Sequence, residues 1–312
     1  MMAGPACETF LTNNRSVNIL FRGKARHDRL ASDLQGSRFV CHSLHSKKDP
    51  MSVEPSILFA VDADGIGTLI LNRPEQLNAF DLDMVDAWRA ALEQAEADER
   101  VKVIVVTGAG RAFCAGGDFE EMAKFSELDS MGRKDFLYRH VHRIALTLER
   151  MEKPVIAAVN GAARGAGCDM ALMCDIRLMA SSATLAESYI NIGLMAGDAG
   201  AWYLPRLVGT ARALELFWTG RVVGAEEAER IGMVNRVVPD AELMAATYEL
   251  ARTIASKPQQ AVRFFRRAVY QSQTMALATH LDMVSSHMAV LEDTPEHRAG
   301  IAAFRTRSRA SK

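Results

Sequence analysis

The chain has 312 residues, of which 49% are hydrophobic and 24% charged, and its formal net charge is −1. This length supports one large domain or two modest ones, and the composition excludes global disorder, collagen-like repeats and a supercharged tail. Because the chain has no basic excess, we expect no nucleic-acid partner. The longest apolar runs, such as residues 155–159, are far shorter than the ~18–20 residues that span a membrane, so we also expect no membrane segment.

Five cysteines are few for this length, and their number is odd. They form no CxxC pair and no paired spacing typical of zinc ligands. We therefore predict free thiols, a cytoplasmic location and no metal site. Cys114 and Cys168 adjoin glycine-rich segments, but no histidine lies beside them in sequence, which favours small buried side chains over a thiol nucleophile.

Residues 1–50 differ from the rest of the chain, because they show no clear amphipathic period and scatter basic among acidic side chains. A secretory signal would need an apolar core of about 7–15 residues after a basic start, and this region lacks one. An organelle transit peptide would suit the arginines and serines, but the acidic residues argue against it. We interpret residues 1–50 as a disordered extension or a mis-assigned start, with Met51 as the natural beginning.

From Met51 onward, strand and helix patterns alternate. Two β-rich segments at residues 56–61 and 67–71 predict a hairpin that closes at a glycine turn. Apolar residues at helical spacing predict a helix over residues 81–97, and the apolar run 103–106 predicts a buried parallel strand. There follow a helix over 134–151, a strand at 155–159, a helix that opens near Gly165, strands at 175–180 and 233–238, and helices from residue 241 onward. This alternation indicates an α/β fold with crossover connections.

Two glycine-rich loops each follow an apolar strand: TGAGRAFCAGGD at residues 107–118 and NGAARGAGCD at residues 160–169. Neither matches the phosphate-binding patterns of nucleotide-binding loops. Each leads into a predicted helix, the first through Asp118, for which Glu121 completes a capping-box pattern. Backbone N–H groups at a helix start favour negative charge. Two such starts that face each other would form an oxyanion hole, whereas isolated tight turns and caps would have no chemical role.

Both loops also carry a resemblance to a known family. The matching segments are LNRPEQLNA at residues 71–79, VVTGAGRAFCAGGD at 105–118, KPVIAAVNG at 153–161, CDIR at 174–177, IGL at 192–194, LPRLVG at 204–209, TG at 219–220 and EDTPEHRAGIAAF at 292–304. In this order they resemble the enoyl-CoA hydratase/isomerase, or crotonase, superfamily. The resemblance covers about residues 56–308.

The resemblance implies an α/β fold of the crotonase type. Its core, residues 51–255, would be a spiral of ββα repeats, and residues 256–312 would form a helical trimerisation region. The expected assembly is a homotrimer or a dimer-of-trimers hexamer. The expected ligand is an acyl-CoA thioester, in which coenzyme A is part of the substrate and no further cofactor is needed.

By the same resemblance, the thioester carbonyl would lie between the backbone N–H groups of Gly117 and Ala166. The family usually has glycine at the second position, and alanine keeps the N–H while its methyl group narrows the pocket. Such a donor typically contributes a factor of ~10²–10³ in rate. The coenzyme A contacts of the family correspond to four positions: Arg73, Ala115, Gly116 and Arg307.

The acid/base positions depart from the hydratase pattern, in which two glutamates hold and activate water. The first glutamate corresponds to Asp169, in the opening turn of a helix, and the second corresponds to Tyr189. Asp198 lies in a loop where other family members place a catalytic carboxylate, and we predict Asp169, Asp198 and Tyr189 as the catalytic set. Glu187 is a weaker candidate and is interpreted as a local structural partner.

Two histidines in the predicted helix 134–151 are also candidates. His140 and His142 lie two residues apart, so they point to different faces and cannot form a chelating pair. We interpret both as surface residues.

These features favour an acyl-CoA enzyme that stabilises a thioester enolate, with Asp169 as the leading proton-transfer group. The nominal reaction is hydration of a trans-2-enoyl-CoA to a 3-hydroxyacyl-CoA. Double-bond isomerisation is the close alternative, because it needs only one well-placed base. Thioester hydrolysis and a non-catalytic scaffold that binds CoA esters are the remaining alternatives.

Overall fold

A computed structural model describes residues 38–39 and 54–310 of the chain, with side chains for residues 54–306. Its strands are β1 Arg38–Phe39, β2 Ile57–Val61, β3 Ile66–Leu71, β4 Val103–Gly108, β5 Ala112–Cys114, β6 Val155–Val159, β7 Ala162–Arg164, β8 Ile176–Ala180, β9 Thr184–Ala186, β10 Val223–Gly224 and β11 Arg236–Val238. Strand β1 pairs antiparallel with β2. The interpretation of residues 1–50 otherwise falls outside the described residues, as does that of Met51.

The helices are α1 Leu82–Ala97, α2 Phe119–Glu127, α3 Ser130–Phe136, α4 His142–Arg150, α5 Ala166–Leu172, α6 Gly200–Val208, α7 Thr210–Thr219, α8 Ala225–Arg230, α9 Leu243–Ala255, α10 Gln259–Ser272, α11 Leu277–Glu292 and α12 Pro295–Ala310. Among the helices in the described part of the chain, none is long and apolar enough to cross a membrane.

The strands form two sheets that advance together along the chain. One sheet has the order β1-β2-β3-β4-β6-β8-β11, and the other has the order β10-β9-β7-β5. Strands β4, β6 and β8 are parallel neighbours in the first sheet, and their successors β5, β7 and β9 are parallel neighbours in the second. Each turn of the chain therefore adds one strand to each sheet before a helix returns it, which confirms the predicted spiral of ββα repeats.

Local sequence explains why the first turn forms where it does. Strands β3 and β4 are buried along their full lengths, as parallel strands covered on both faces must be. Helix α1 begins after Asp81, whose Oδ1 accepts a hydrogen bond of 2.8 Å from the Met84 N–H. Its buried residues have Trp88 at their centre, and the helix packs against β2 and α4.

Three local predictions were wrong in detail. The last strand is shorter than 233–238, because the N–H groups of Met233 and Val234 both donate to the Ala228 carbonyl in a turn after α8. The helix expected over 134–151 starts earlier, at residue 130, and π-helical residues Leu137–Val141 separate α3 from α4.

The third concerns the start of α2. Asp118 caps this helix by accepting from the Glu120 N–H, and Glu121 pairs with Lys124. The reciprocal capping box is absent from this part of the described chain, since the Asp118 N–H, which Glu121 would have to accept, donates to the Phe80 carbonyl.

A buried ion pair joins the first tail helix to the core. Arg266 on α10 contacts Asp175, which precedes β8, at 3.0 Å, and both side chains are largely buried. The same guanidinium donates to the carbonyls of Leu148 and Met151, and Tyr270 donates to Asp175 Oδ1 at 2.7 Å. Asp175 Oδ2 also accepts from the Val155 N–H. This cluster fixes α10 against β6, β8 and the end of α4.

We expect Asp175→Ala to lower the free energy of unfolding by about 3–5 kcal/mol, because it leaves the buried Arg266 guanidinium without its counter-charge. Urea denaturation at fixed protein concentration measures the change. Asp282→Ala, at an exposed position on α11, is the control and should change stability by less than about 0.5 kcal/mol. Equal effects of the two substitutions would show that the ion pair does not hold the tail.

Candidate active site

The two glycine-rich loops are in direct backbone contact, and glycine is required at the contact points. A Cβ on Gly161 would lie 2.1 Å from the Arg111 carbonyl oxygen, and a Cβ on Gly167 would lie 2.1 Å from the Cys114 carbonyl oxygen. Both distances are far below van der Waals contact, so any side chain would push the loops apart. This close approach sets the start of α5 against β5.

Two asparagines hold the first loop in place. The Nδ2 of Asn78 donates to the carbonyls of Ala109 and Ala112, each at 2.9 Å, while its Oδ1 accepts from the Arg73 N–H. The Oδ1 of Asn160 accepts from the Gly108 N–H at 3.0 Å, and its Nδ2 donates to the Ala112 carbonyl. These bonds satisfy backbone groups that the turns leave unpaired, which makes the loop rigid.

Two backbone donors remain free at the contact between the loops. Ala166 is the first residue of α5, where a helical N–H has no partner within the helix. Neither its N–H nor that of Gly117 donates to any of the described residues. A Cβ on Gly116 would lie 3.7 Å from the Ala166 nitrogen, so the two loops adjoin at this point. Both predicted donors are therefore unpaired among the described residues.

The predicted catalytic side chains come together beside these donors. Asp169 lies on α5, three residues after Ala166, and is fully buried. The Tyr189 hydroxyl is 2.7 Å from Asp169 Oδ2 and 3.2 Å from Asp198 Oδ2. Its ring lies against Gly165, because a Cβ there would be 3.7 Å from two of the ring carbons. Tyr189 therefore bridges the two carboxyl groups.

A count of hydrogens limits the protonation states of this bridge. The Tyr189 hydroxyl has one hydrogen, so it can donate to only one carboxylate at a time. The shorter contact assigns that hydrogen to Asp169. Asp198 then completes a second hydrogen bond only when it is protonated and donates to the tyrosine oxygen. The geometry therefore favours an ionised Asp169 and a protonated Asp198.

Burial and like charge shift these groups in the same direction. Burial, followed by the charge of Asp169, raises the pKa of Asp198 from 3.8 to about 7. Burial, followed by the charge of Glu187, raises the pKa of Asp169 well above its usual range, although the Tyr189 hydroxyl and the Gly200 amide offset part of this rise. The cluster therefore exchanges protons near neutral pH, which suits general acid–base chemistry.

Sequence reasoning underrated two residues of this cluster. Glu187, treated as a weaker candidate, is buried with its carboxyl group facing Asp169 and Cys168. His142 is not a free surface residue, because its Nε2 lies 2.8 Å from the Gly197 carbonyl oxygen, next to Asp198. Glu187 could have been assigned to the cluster from the sequence, since it lies two residues before Tyr189. His142 could not have been assigned in this way, because only the fold brings α4 to the loop that carries Asp198.

The residues expected to bind coenzyme A are placed as follows. The Arg73 guanidinium is paired with Asp81 at 3.2 Å and with Asp118 at 3.1 Å. The Gly116 carbonyl accepts from the Phe80 N–H, and the Ala115 N–H donates to the Leu77 carbonyl. Arg307 lies in α12, and its side chain is outside the described part of the chain. Arg73 therefore stabilises the first loop through its two ion pairs.

The buried cysteines take no part in nucleophilic chemistry. Cys114 and Cys168 are fully buried, as expected for small core side chains. Burial raises the pKa of the Cys114 thiol to about 12 and that of the Cys168 thiol well above its usual range. Neither is a thiolate near neutral pH, and the thiolate is the nucleophile.

Comparison with known proteins places the chain in a family. The chain matches the enoyl-CoA hydratase/isomerase family over residues 62–311. It is 36% identical over 244 residues to a 1,2-epoxyphenylacetyl-CoA isomerase of Escherichia coli K12, covering 77% of this chain and 92% of the relative. It is 34% identical to a crotonyl-CoA hydratase of Syntrophomonas wolfei, covering 79% of this chain and 94% of that protein.

A solved structure agrees with these relatives. An enoyl-CoA hydratase subunit from Geobacillus kaustophilus superposes with a TM-score of 0.76 and is 37% identical, covering 81% of this chain and 95% of that chain.

The carboxyl cluster predicts an unusual pH dependence of stability. The pKa of Asp198 is higher in the folded chain than its ordinary value, so between about pH 4 and 7 the folded state binds the extra proton and loses stability as the pH rises. Asp198→Asn removes this loss. Between pH 5 and pH 8 we expect the free energy of unfolding of this variant to rise, relative to that of the parent, by on the order of 2 kcal/mol. This is less than the full pKa shift would give, because Asp198 is only partly shielded from water.

Urea denaturation across this pH range measures the difference. Asp282→Asn, at an exposed position, should follow the parent at every pH. An Asp198→Asn curve parallel to that of the parent would show that Asp198 ionises normally in the folded protein.

Proposed function

Because the chain belongs to the enoyl-CoA hydratase/isomerase family, we propose that this acyl-CoA enzyme shifts a carbon–carbon double bond in an enoyl-CoA thioester. The observation that carries this choice is the Tyr189 hydroxyl, which lies between Asp169 and Asp198. In a hydratase, the attacking water would have to be held between two carboxyl groups. Here a tyrosine stands in place of the second carboxyl group, and its hydroxyl is bonded to Asp169 and Asp198, so proton transfer between carbons is favoured over addition of water.

The proposed reaction begins with the thioester carbonyl oxygen accepting hydrogen bonds from the N–H groups of Gly117 and Ala166. Asp169, as the carboxylate, takes a proton from C2 of a 3-enoyl-CoA. The electron pair of the broken C–H bond moves onto the thioester oxygen, where the two N–H groups stabilise the charge. Asp198, in its protonated form, then gives a proton to C4, which moves the double bond from C3–C4 to C2–C3 and leaves the composition of the thioester unchanged.

Tyr189 and Asp198 support this cycle by controlling protons. The Tyr189 hydroxyl donates to Asp169 Oδ2 and so favours its ionised form. Once Asp169 holds the substrate proton and Asp198 has given up its own, the hydroxyl can turn and donate to the Asp198 carboxylate, 3.2 Å away. Asp198 is thus the second proton carrier, with a pKa of about 7 that allows either state at neutral pH.

The names of the relatives support the same class of chemistry. One is named an isomerase and another a hydratase, both acting on CoA thioesters. Hydration of a 2-enoyl-CoA is the second candidate, because Asp169 stands at the position of the first hydratase glutamate. The coenzyme A contacts at Arg73, Ala115, Gly116 and Arg307, the trimeric or hexameric assembly and the cytoplasmic location also belong to this proposal.

The product mass identifies the reaction. With a 3-enoyl-CoA in D₂O, we expect a 2-enoyl-CoA that carries deuterium from solvent and has gained no water. Asp169→Asn should lower kcat by ~10²–10⁴-fold, because it removes the base and keeps the shape of the site. A product heavier by one water would establish hydration instead, and release of free coenzyme A would establish hydrolysis. Retained turnover in Asp169→Asn would rule out Asp169 as the base.

A separate substitution tests whether the position of Asp169 matters. A Cβ on Gly200, at the start of α6, would lie 2.0 Å from Asp169 Oδ1. Gly200→Ala must therefore displace this carboxyl group, and we expect kcat to fall at least about tenfold, as small displacements of a catalytic group do. Gly224→Ala is the matched control, because a Cβ there meets no atom within 4 Å. Equal turnover in both variants would contradict the assigned position of the base.

A further inference from the structure

Glu187 is a buried carboxyl group for which the proposed reaction has no use. It lies between β9 and the 3₁₀ turn Ser188–Ile192, and only 1% of its surface is exposed. Neither of its carboxylate oxygens has a hydrogen-bond partner among the described residues. The same holds for Asp169 Oδ1. Burying an ionised carboxylate without a hydrogen-bond partner is unfavourable in free energy, so the protonation state of these groups needs an explanation.

The surroundings of Glu187 contain acids and a thiol rather than a cation. Asp169 and Cys168 face it from α5, and Asp198 faces it from the loop before α6. The Arg164 guanidinium on β7 is directed to the Thr184 carbonyl and hydroxyl oxygens and to the Ala163 carbonyl. His142 is bonded to the Gly197 carbonyl. Two ionised carboxylates at Asp169 and Glu187 would therefore repel each other without a counter-charge, so the pair must hold a proton.

The available donors decide which of the two carboxyl groups holds that proton. Asp169 accepts from the Tyr189 hydroxyl at 2.7 Å and faces the Gly200 amide at the start of α6. Among the described residues, the donor that faces Glu187 is the weakly donating Cys168 thiol, apart from Asp169 itself. The negative charge is therefore better stabilised on Asp169, and the proton belongs on Glu187.

We propose that Glu187 is a positioning residue that stays protonated at neutral pH and donates a hydrogen bond to Asp169 Oδ1, so that Asp169 is held ionised and oriented as the base. Burial raises the pKa of Glu187 from 4.5 to about 7 and that of Asp169 well above its usual range, so the pair retains a proton near neutral pH. The placement of that proton on Glu187 rests on the donors that face Asp169. That Glu187 assists Asp169 as the base rests on the proposed function. That Glu187 and Asp169 share one proton does not depend on it.

Infrared spectroscopy tests the proton without any turnover. The intact protein at pH 7 should show the carbonyl band of a buried carboxylic acid that moves when glutamate is labelled with ¹³C at its carboxyl carbon. This band should disappear in Glu187→Gln and remain in Glu226→Gln, a control at an exposed position on α8. A band whose frequency does not change with the glutamate label, or the absence of such a band, would overturn the proposal, even if isomerisation is confirmed.

Kinetics then separates positioning from a merely structural role, using whichever reaction the product assay identifies. Glu187→Gln keeps a neutral hydrogen-bond donor, so kcat should stay within about threefold of the parent. Glu187→Met removes the donor, and the acidic limb of the kcat profile should move upward by about one to two pH units, the effect expected for one hydrogen bond to a charged group.

Two results would contradict this role. A loss of about 100-fold or more in Glu187→Gln, with an unchanged melting temperature, would make Glu187 itself the base. Identical pH profiles in the parent, Glu187→Gln and Glu187→Met would leave Glu187 a purely structural residue. Melting temperatures of all variants show whether each one folds.

Discussion

The close approach of two backbone segments is the constraint on which the site depends. The start of α5 touches β5 so tightly that Gly167 has no room for a side chain, because the Cys114 carbonyl oxygen lies 2.1 Å from the place of a Cβ. This contact puts the free N–H of Ala166 next to the loop that carries Gly117. It also fixes Asp169, one turn along the same helix, relative to both donors. Asn78 and Asn160 support the contact by bonding the carbonyls that the tight turns expose.

The second feature of the site is a set of acidic groups that are difficult to ionise together. Asp169, Glu187 and Asp198 share an interior in which the Tyr189 hydroxyl is the strongest donor, and burial raises the pKa of all three carboxyl groups. Such an arrangement costs stability, since an apolar cluster would not need shared protons. It is suited to moving a proton at neutral pH, where groups with ordinary pKa values would be fully ionised. The cost to stability and the capacity for proton transfer therefore have the same origin.

The sequence predicted the architecture well wherever a local pattern carries the information. The alternation of apolar strands and amphipathic helices was enough for an α/β fold with crossover connections, the family resemblance implied the spiral, and Asp81 was placed correctly at the start of α1. Prediction failed where another hydrogen bond replaces the expected one. The Asp118 N–H donates to the Phe80 carbonyl rather than to the Glu121 carboxylate, and the chain after α8 turns back on Ala228 instead of entering a strand at once. These local alternatives differ by small free energies, so nearby contacts decide between them.

The sequence by itself determined the family, the two glycine-rich loops and the kinds of acid/base side chain at hand, including the tyrosine at the position of the second glutamate. Only the tertiary structure decided how those side chains act together. Asp169, Glu187, Tyr189 and Asp198 come from a helix, a strand end, a short turn and a loop, so no periodic pattern states their distances. The protonation of each group depends on burial and on the charges around it. Those quantities exist only after the chain has packed, which is why the bridge at Tyr189 and the unpartnered oxygens of Glu187 could not be read from the residues alone.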